Sequence, residues 1–125
     1  MKGRYEVVVE AYFSSAHNLR GYDGDCERLH GHNWRVEVAV QGKKLDDVGL
    51  LVDFRALKKL VRGVVDGLDH TYLNEHPVFR KMNPSTENLG RFIAEQVSKG
   101  LPRNVQISWV RVWEGPATRA TFFPD

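Results

Sequence analysis

The sequence predicts an α+β fold in which a four-stranded antiparallel sheet carries two helices on one face, in the order β-β-α-α-β-β. Two segments alternate apolar and polar residues with a period of two, as half-buried strands do, and two further runs near the C-terminus are rich in β-forming residues. Two segments repeat apolar residues every three or four positions, as amphipathic helices do. The chain has 125 residues, which is the size of one domain, and residues 1–125 are expected to form it.

The first two strands are predicted from alternation. In the first strand one face holds Tyr5, Val7, Val9, Ala11 and Phe13. If that strand continues, its period brings His17 to the same face. The second strand is predicted from Trp34, Val36, Val38 and Val40, and its period extended backwards places His32 and His30 on one side.

The two helices are predicted from apolar stripes and capping residues. Asp53 is the expected N-cap of the first helix, which should end near Gly67. Its stripe is Phe54, Leu57, Val61, Val64, Val65 and Leu68. The second helix should begin at Ser85 or Thr86, with Glu87 in its first turn. Its buried side is Leu89, Phe92, Ile93 and Val97.

Two β-rich runs follow, at residues 105–113 and 117–123, and a turn is expected at residues 114–116. The first of these runs is apolar on both faces. Val105, Ile107 and Trp109 lie on one face, and Val110 and Val112 lie on the other. The helices can cover only one of them, so a second subunit is expected to cover the other.

Charge and cysteine content exclude several classes of protein. Lys and Arg number 18 against 16 Asp and Glu, a net charge of +2, which argues against binding to nucleic acid or an anionic membrane. No apolar run approaches ~20 residues, and residues 1–13 lack the apolar core of a signal peptide. The single cysteine, Cys26, excludes an intrachain disulfide and favours the cytoplasm.

Three of the five histidines crowd together with that cysteine. Residues 26–32 read Cys-Glu-Arg-Leu-His-Gly-His, and His17 precedes them. In an extended segment His30 and His32 point the same way, and His17 adds a third imidazole from the neighbouring strand. Three imidazoles with a fourth position open are typical of a catalytic zinc site. The alternative is a set of polar strand-end histidines without a metal.

Cys26 has three interpretations. It is a small buried hydrophobic residue, a fourth zinc ligand, or a thiolate base whose pKa a nearby cation lowers. Its charged neighbours Asp25, Glu27 and Arg28 weaken the first interpretation. Spacing alone does not separate a ligand from a base.

Two further positions are candidates for chemistry. Asp69 and His70 follow the first helix, and the carboxylate can orient the imidazole only through a turn geometry; otherwise they are a surface pair. Glu114 ends a strand, where a carboxylate can accept two N–H donors from a guanidine-like edge such as that of a pterin, or simply be solvated. His76, before Pro77, is expected at the surface.

These residues resemble the 6-pyruvoyltetrahydropterin synthase superfamily, and more closely its 6-carboxytetrahydropterin synthase branch of queuosine biosynthesis. The resemblance covers residues 5 to 123. The motifs that carry it are FSSAH (13–17), GYDGDCERLHGHNW (21–34), LDHTYLN (68–74), PSTEN (84–88) and WEGP (113–116). The Cys-x-x-x-His-Gly-His element with its upstream histidine is the most specific of them.

The resemblance implies a role for each candidate. His17, His30 and His32 are implied to bind Zn²⁺. Cys26 is implied to be the proton acceptor, with His70 in a relay that includes Asp69 and Glu114. The pterin ring is implied to be anchored by Glu114, helped by Thr86 and Glu87. The implied architecture is the tunnelling fold, a homo-oligomer, with a hexamer favoured, whose subunits share their sites.

The implied reaction converts 7,8-dihydroneopterin triphosphate to 6-carboxy-5,6,7,8-tetrahydropterin, releasing acetaldehyde and triphosphate. The three residues between Cys26 and His30 favour this branch over the pyruvoyl-forming one, which typically has a longer insertion there. Ser15 stands where alanine is frequent in the family. Two alternatives remain: triphosphate elimination that gives the pyruvoyl product, and a non-catalytic zinc-stabilised oligomer that binds pterins.

Overall fold

The computed structural model of the chain describes residues 1–23 and 27–125. In chain order the strands are β1 (Tyr5–His17), β2 (His30–Gly42), β3 (Thr71–Tyr72), β4 (Gln106–Gly115) and β5 (Thr118–Phe122). The helices α1 (Phe54–Val65) and α2 (Thr86–Ser98) lie between them, and two short 3₁₀ turns occupy Leu73–Glu75 and Pro77–Phe79.

The sheet has five strands in the order β3-β1-β2-β4-β5, so the expectation of four antiparallel strands is corrected. The additional strand, β3, pairs in parallel with β1 through Ser15–Thr71 and Ala16–Tyr72. It is two residues long, too short for any period to reveal it. The other pairings are antiparallel, and the α+β architecture with both helices on one face is confirmed.

Both helices begin at the expected caps. The Asp53 carboxylate accepts a hydrogen bond from the amide of Arg55 at 2.7 Å, and Ser85 rather than Thr86 caps α2 by accepting from the amide of Asn88 at 3.1 Å. The apolar stripe of α1 is narrower than predicted, because Phe54 is 58% exposed. α1 ends at Val65, two residues before Gly67.

A bulge changes the faces of β4. Val38 pairs with Val110, but Val40 pairs with Ile107, so Ser108 is an extra residue in the ladder. Beyond the bulge the alternation changes phase, and the residues that face the helices are Val105, Ile107, Val110 and Val112. The prediction of two apolar faces is therefore wrong, and with it the argument that a second subunit must cover one of them.

The opposite face of the sheet is open and carries aromatic and charged side chains. Arg35 and Arg119 lie over the Trp113 ring at 5.0 and 4.8 Å, and Arg111 lies over Trp109 at 4.3 Å. Cation–π contacts of this kind cover indole surface while leaving the charge in solvent.

The core between the sheet and the helices is in contact with the histidines. Trp34 is fully buried, stacks on Phe13 at 5.7 Å, and meets the His17 ring edge-on at 4.9 Å. His76, expected at the surface, is half-buried and packs against Phe79 and Phe92. No helix among residues 1–23 and 27–125 is long and apolar enough to cross a membrane.

The bulge gives a test with a matched pair of valines. We expect Val110→Ala to lower the free energy of unfolding by about 2 kcal/mol, because it leaves a cavity in the core. Val8→Ala, on the open face where Val8 is 36% exposed, should change it by less than about 0.5 kcal/mol. Urea denaturation measures both values. Equal costs for the two variants would contradict the assignment of Val110 to the core face.

Candidate metal centre and active site

Three histidines meet where the β1–β2 pair ends. His17 lies directly opposite His30, and His32 lies opposite Ser15. Because side chains alternate along a strand, all three imidazoles project from the face that carries the helices. The two predicted extrapolations, forward along β1 and backward along β2, are confirmed. His17 is the most buried of the three, at 2% exposure.

The rings are close enough to act on one ion. The Nε2 atoms of His17 and His30 are 3.0 Å apart, and the ring centroids of His30 and His32 are 4.6 Å apart. One donor atom from each histidine and one carboxylate oxygen of Glu114 all lie within 4.8 Å of one another. The described residues therefore include a four-membered group able to hold a metal ion.

Backbone carbonyls set the tautomers of two of these rings. His17 Nδ1 is 2.8 Å from the carbonyl oxygen of Pro84, and His30 Nδ1 is 2.8 Å from that of Arg28. A carbonyl only accepts, so each Nδ1 carries the proton. Each neutral ring then presents a lone pair at Nε2, and two lone pairs face each other across 3.0 Å. A shared cation turns that repulsion into coordination, and carbonyl-oriented imidazoles are typical of metal ligands.

His32 completes the set. Its Nε2 is buried and has no hydrogen-bond partner among the described residues, although Glu114 Oε1 lies 3.1 Å away without the alignment of a hydrogen bond. Burial lowers the pKa of His32, and the neighbouring imidazoles lower it further while Glu114 opposes them. The neutral imidazole is thus favoured, which is the form that binds a metal.

Glu114 links the histidines to helix α2. Its Oε2 accepts a hydrogen bond from the Thr86 hydroxyl at 3.0 Å, while Oε1 faces His32. Two residues expected to bind substrate, Glu114 and Thr86, are therefore in contact. Glu87 is in the first turn of α2 with an exposed side chain, and the structure does not bring it into this group.

Asp69 and His70 form a dyad elsewhere, at the outer edge of β1. His70 has a φ of 54°, and this turn brings its Nδ1 within 2.9 Å of Asp69 Oδ2. Asp69 Oδ1 accepts the amide N–H of Ser14 at 2.8 Å. That hydrogen bond, followed by the one from His70, holds the pKa of Asp69 below its ordinary value. Asp69 can orient the adjacent His70 only through a turn, and that turn is present.

The dyad is not part of the histidine group. The His70 side chain is 83% exposed, and it extends from the edge of the sheet. With Nδ1–H donated to the carboxylate, its Nε2 is free to take a proton from a reacting group. The His70 imidazole is oriented and accessible, and the pocket that it lines with Thr71 and Tyr72 contains none of the residues of the metal group.

Cys26 lies outside the described residues, and its neighbour Glu27 is a candidate that the sequence reasoning missed. Glu27 Oε1 accepts the amide N–H of Leu19 at 3.2 Å and lies 3.8 Å from His30 Nδ1. Its position next to the Cys26 motif was visible in the sequence. The direction of its side chain was not, because it depends on the path of the loop.

A network of amides holds this loop against β1 and was also missed. The amide N–H of Asn18 donates to Asn74 Oδ1 at 3.0 Å, and Asn74 Nδ2 donates to the carbonyl oxygen of Asn18 at 2.8 Å. Asn18 also donates to the carbonyl of Glu27 at 3.1 Å and accepts from the Tyr72 hydroxyl at 2.8 Å. The LDHTYLN motif contained Tyr72 and Asn74, but their partners are distant in sequence. The network fixes the residue that immediately follows Cys26.

The fold and this site define a class: small α+β domains with a histidine-rich metal group at the end of an antiparallel sheet and an Asp-His dyad at its edge. The chain belongs to the 6-pyruvoyl tetrahydropterin synthase family, whose family model matches residues 6–125. The family resemblance found in the sequence is confirmed.

Two curated relatives are similar over much of the chain. A dihydroneopterin monophosphate aldolase of Pyrococcus furiosus is 39% identical over 115 residues, which cover 92% of each chain. A 6-carboxy-5,6,7,8-tetrahydropterin synthase of Bacillus subtilis is 41% identical over 98 residues, covering 74% of this chain and 65% of the relative.

Solved structures support the same fold. The Caenorhabditis elegans 6-pyruvoyl tetrahydropterin synthase superposes with a TM-score of 0.83 at 22% identity, covering 99% of this chain and 98% of that chain. A Plasmodium vivax 6-pyruvoyltetrahydropterin synthase, solved with a catalytic glutamate replaced by alanine, has a TM-score of 0.78 at 25% identity and covers 98% of this chain and 99% of that chain.

Proposed function

We propose that this chain is a cytoplasmic, zinc-dependent lyase that converts 7,8-dihydroneopterin triphosphate and water to 6-carboxy-5,6,7,8-tetrahydropterin, acetaldehyde and triphosphate, the water supplying the second carboxylate oxygen. The observation that carries the proposal is the convergence of three imidazoles and Glu114 within 4.8 Å in a member of a pterin synthase family. The product belongs to queuosine and related 7-deazapurine biosynthesis. The similarity to curated 6-carboxy-5,6,7,8-tetrahydropterin synthases supports this assignment.

His17, His30 and His32 would hold the zinc ion through their Nε2 atoms. A zinc ion there supplies a Lewis acid that makes the C–H bonds beside the substrate's side-chain oxygens more acidic. The carbonyl contacts at Nδ1 of His17 and His30 keep those two rings in the tautomer that binds.

Glu114 would anchor the pterin. Its carboxylate can accept two N–H donors from the guanidine-like edge of the ring, and the Thr86 hydroxyl at 3.0 Å steadies it. Because Glu114 lies beside His32, a pterin held there has its side chain near the three imidazoles. Glu87, in the same turn as Thr86, remains a proposed substrate contact.

Cys26 and His70 would move the protons. The Cys26 thiolate would accept a proton from the substrate side chain, and a nearby cation lowers the pKa of such a thiol. His70, with Nδ1–H held by Asp69, would take and return protons at Nε2 during elimination and carbon–carbon cleavage.

The separation of His70 from the histidine group supports a site that a second copy of the chain completes. We therefore propose a homo-oligomer, with a hexamer favoured by the family resemblance, in which the dyad of one chain faces the metal group of another. The sheet provides a means of association: β5 is an edge strand, and the outer edge of β1 is paired with β3 only at Ser15 and Ala16 among the described residues.

A second candidate is retro-aldol cleavage of the dihydroneopterin side chain, giving a 6-hydroxymethyl pterin and a glycolaldehyde fragment. It is favoured by the similarity to an aldolase over 92% of both chains. The Glu27 carboxylate, 3.8 Å from His30 Nδ1, is the proposed base for this cleavage. The pyruvoyl-forming elimination, which breaks no carbon–carbon bond, remains the third possible outcome.

Product analysis distinguishes these reactions. Zinc-loaded protein incubated with dihydroneopterin triphosphate should yield 6-carboxytetrahydropterin, identified by mass spectrometry, together with acetaldehyde. Cys26→Ala should abolish this turnover while retaining one zinc ion per chain, because the thiolate is a base and not a ligand. Glu27→Gln is the paired variant and should retain the carboxy-forming reaction.

Each other result has a definite meaning. A hydroxymethyl pterin that disappears in Glu27→Gln would establish the aldolase instead. A pyruvoyl product would establish simple elimination. Loss of zinc from Cys26→Ala would make the cysteine a ligand, and no turnover at all would contradict every enzyme assignment on this substrate.

A mixing experiment tests whether two chains share one site. Cys26→Ala and His70→Asn should each be inactive alone, and asparagine tolerates the positive φ at position 70. After joint refolding at equal ratio, about a quarter of the sites should combine an intact Cys26 with an intact His70 from another chain, and a corresponding activity should return. The readout is the initial rate of product formation.

His76→Asn is the matched control, because His76 lies outside the dyad and the metal group. It should be active alone. When it is mixed with either inactive variant, the mixture should show only the activity that the His76→Asn chains have by themselves. A mixture of Cys26→Ala and His70→Asn that stays inactive, although mixed oligomers form, would place both residues in one chain's site.

A further inference from the structure

Ser15 is a buried residue whose hydroxyl has no partner. It is 7% exposed, and its Oγ makes no hydrogen bond with any described residue. Leaving a buried hydroxyl unpaired destabilises the folded state. The neighbouring side chains Phe13 and Trp34 are aromatic and offer this hydroxyl no hydrogen-bond acceptor. A role in packing therefore does not explain why a hydroxyl is present at this position.

The position of Ser15 relates it to the metal group. Ser15 is the direct cross-strand partner of His32, and it precedes His17 by two residues on the same face of β1. Directly opposed residues have Cβ atoms about 4.5–5.5 Å apart. The Ser15 hydroxyl and the His32 ring are therefore neighbours on the face where the imidazoles converge.

His32 is the ligand candidate that lacks a second contact. The Nδ1 atoms of His17 and His30 each have a carbonyl acceptor at 2.8 Å. The Nε2 of His32 is buried without a hydrogen bond to any described residue, and its Nδ1 has no carbonyl acceptor comparable to those of the other two rings within residues 1–23 and 27–125. Imidazoles that bind metals almost always donate their other N–H to an acceptor.

We propose that Ser15 Oγ is the acceptor for the Nδ1–H of His32 when Nε2 of His32 binds the metal. A rotation of the hydroxyl and a small turn of the imidazole would give the buried Ser15 hydroxyl and the His32 Nδ1–H a partner within the chain. Ser15 is then a positioning residue for the third ligand. The inference rests on the metal-binding part of the proposed function and is independent of the reaction that the site performs.

A positioning role and a structural role predict opposite effects. Ser15→Ala removes an unpaired hydroxyl, so the metal-free protein should melt at the same temperature or higher. The zinc dissociation constant should rise about tenfold or more, which is typical when the acceptor behind a ligand histidine is lost. A hydroxyl that served only the fold would instead lower the melting temperature and leave zinc affinity unchanged.

Ser14→Ala is the matched control. Ser14 is the adjacent serine, but its Oγ donates to Asn33 Oδ1 at 2.7 Å on the open face of the sheet, away from the imidazoles. The zinc dissociation constant is measured by competition with a chromophoric chelator for wild type and both variants. The visible spectrum of the Co²⁺ form reports the ligand geometry, and the metal-free melting temperature reports folding.

The expected result is a weaker zinc complex and a changed Co²⁺ spectrum in Ser15→Ala alone, with no loss of metal-free stability. Equal zinc affinities in wild type and Ser15→Ala would overturn the inference, as would a Ser15→Ala protein that is destabilised or fails to fold. A wild-type chain that binds neither metal would overturn the metal centre itself. Inactivity of a zinc-loaded wild type toward pterins would contradict the proposed reaction and leave this inference standing.

Discussion

The contact between the Nε2 atoms of His17 and His30, 3.0 Å apart, is the constraint on which the site depends. Two carbonyls hold the Nδ1 protons, so the facing nitrogens present lone pairs to each other. A metal cation shared by the two nitrogens turns this repulsion into coordination. The pairing register of β1 and β2 fixes the contact. A register shift of one residue would place the imidazoles of the two strands on opposite faces of the sheet.

The same sheet separates the metal group from the Asp69–His70 dyad. The imidazoles project from the helix-bearing face, where Glu114 and Thr86 close one side of the group. The dyad stands on the outer edge of β1, held by the backbone of Ser14, and His70 extends into solvent. In a chain of 125 residues, this separation is the reason for proposing that a second copy completes the site.

Much of this arrangement could be predicted, because it follows from periodicity. Alternation along β1 and β2 was enough to bring His17, His30 and His32 together, and capping chemistry placed Asp53 and limited the second cap to Ser85 or Thr86. Other features depend on pairing between distant segments, which no local pattern records. The bulge at Ser108 altered the faces of β4, and the Thr71–Tyr72 strand was too short to detect.

The central claim is a zinc ion bound by three imidazoles, and X-ray absorption at the zinc edge of the zinc-loaded protein tests it most directly. We predict one zinc ion per chain with nitrogen or oxygen neighbours at about 2.0–2.1 Å and no sulfur. A sulfur neighbour at about 2.3 Å would make Cys26 a ligand and remove it as the base. Failure of the wild-type chain to retain zinc would contradict the account of the opposed histidines.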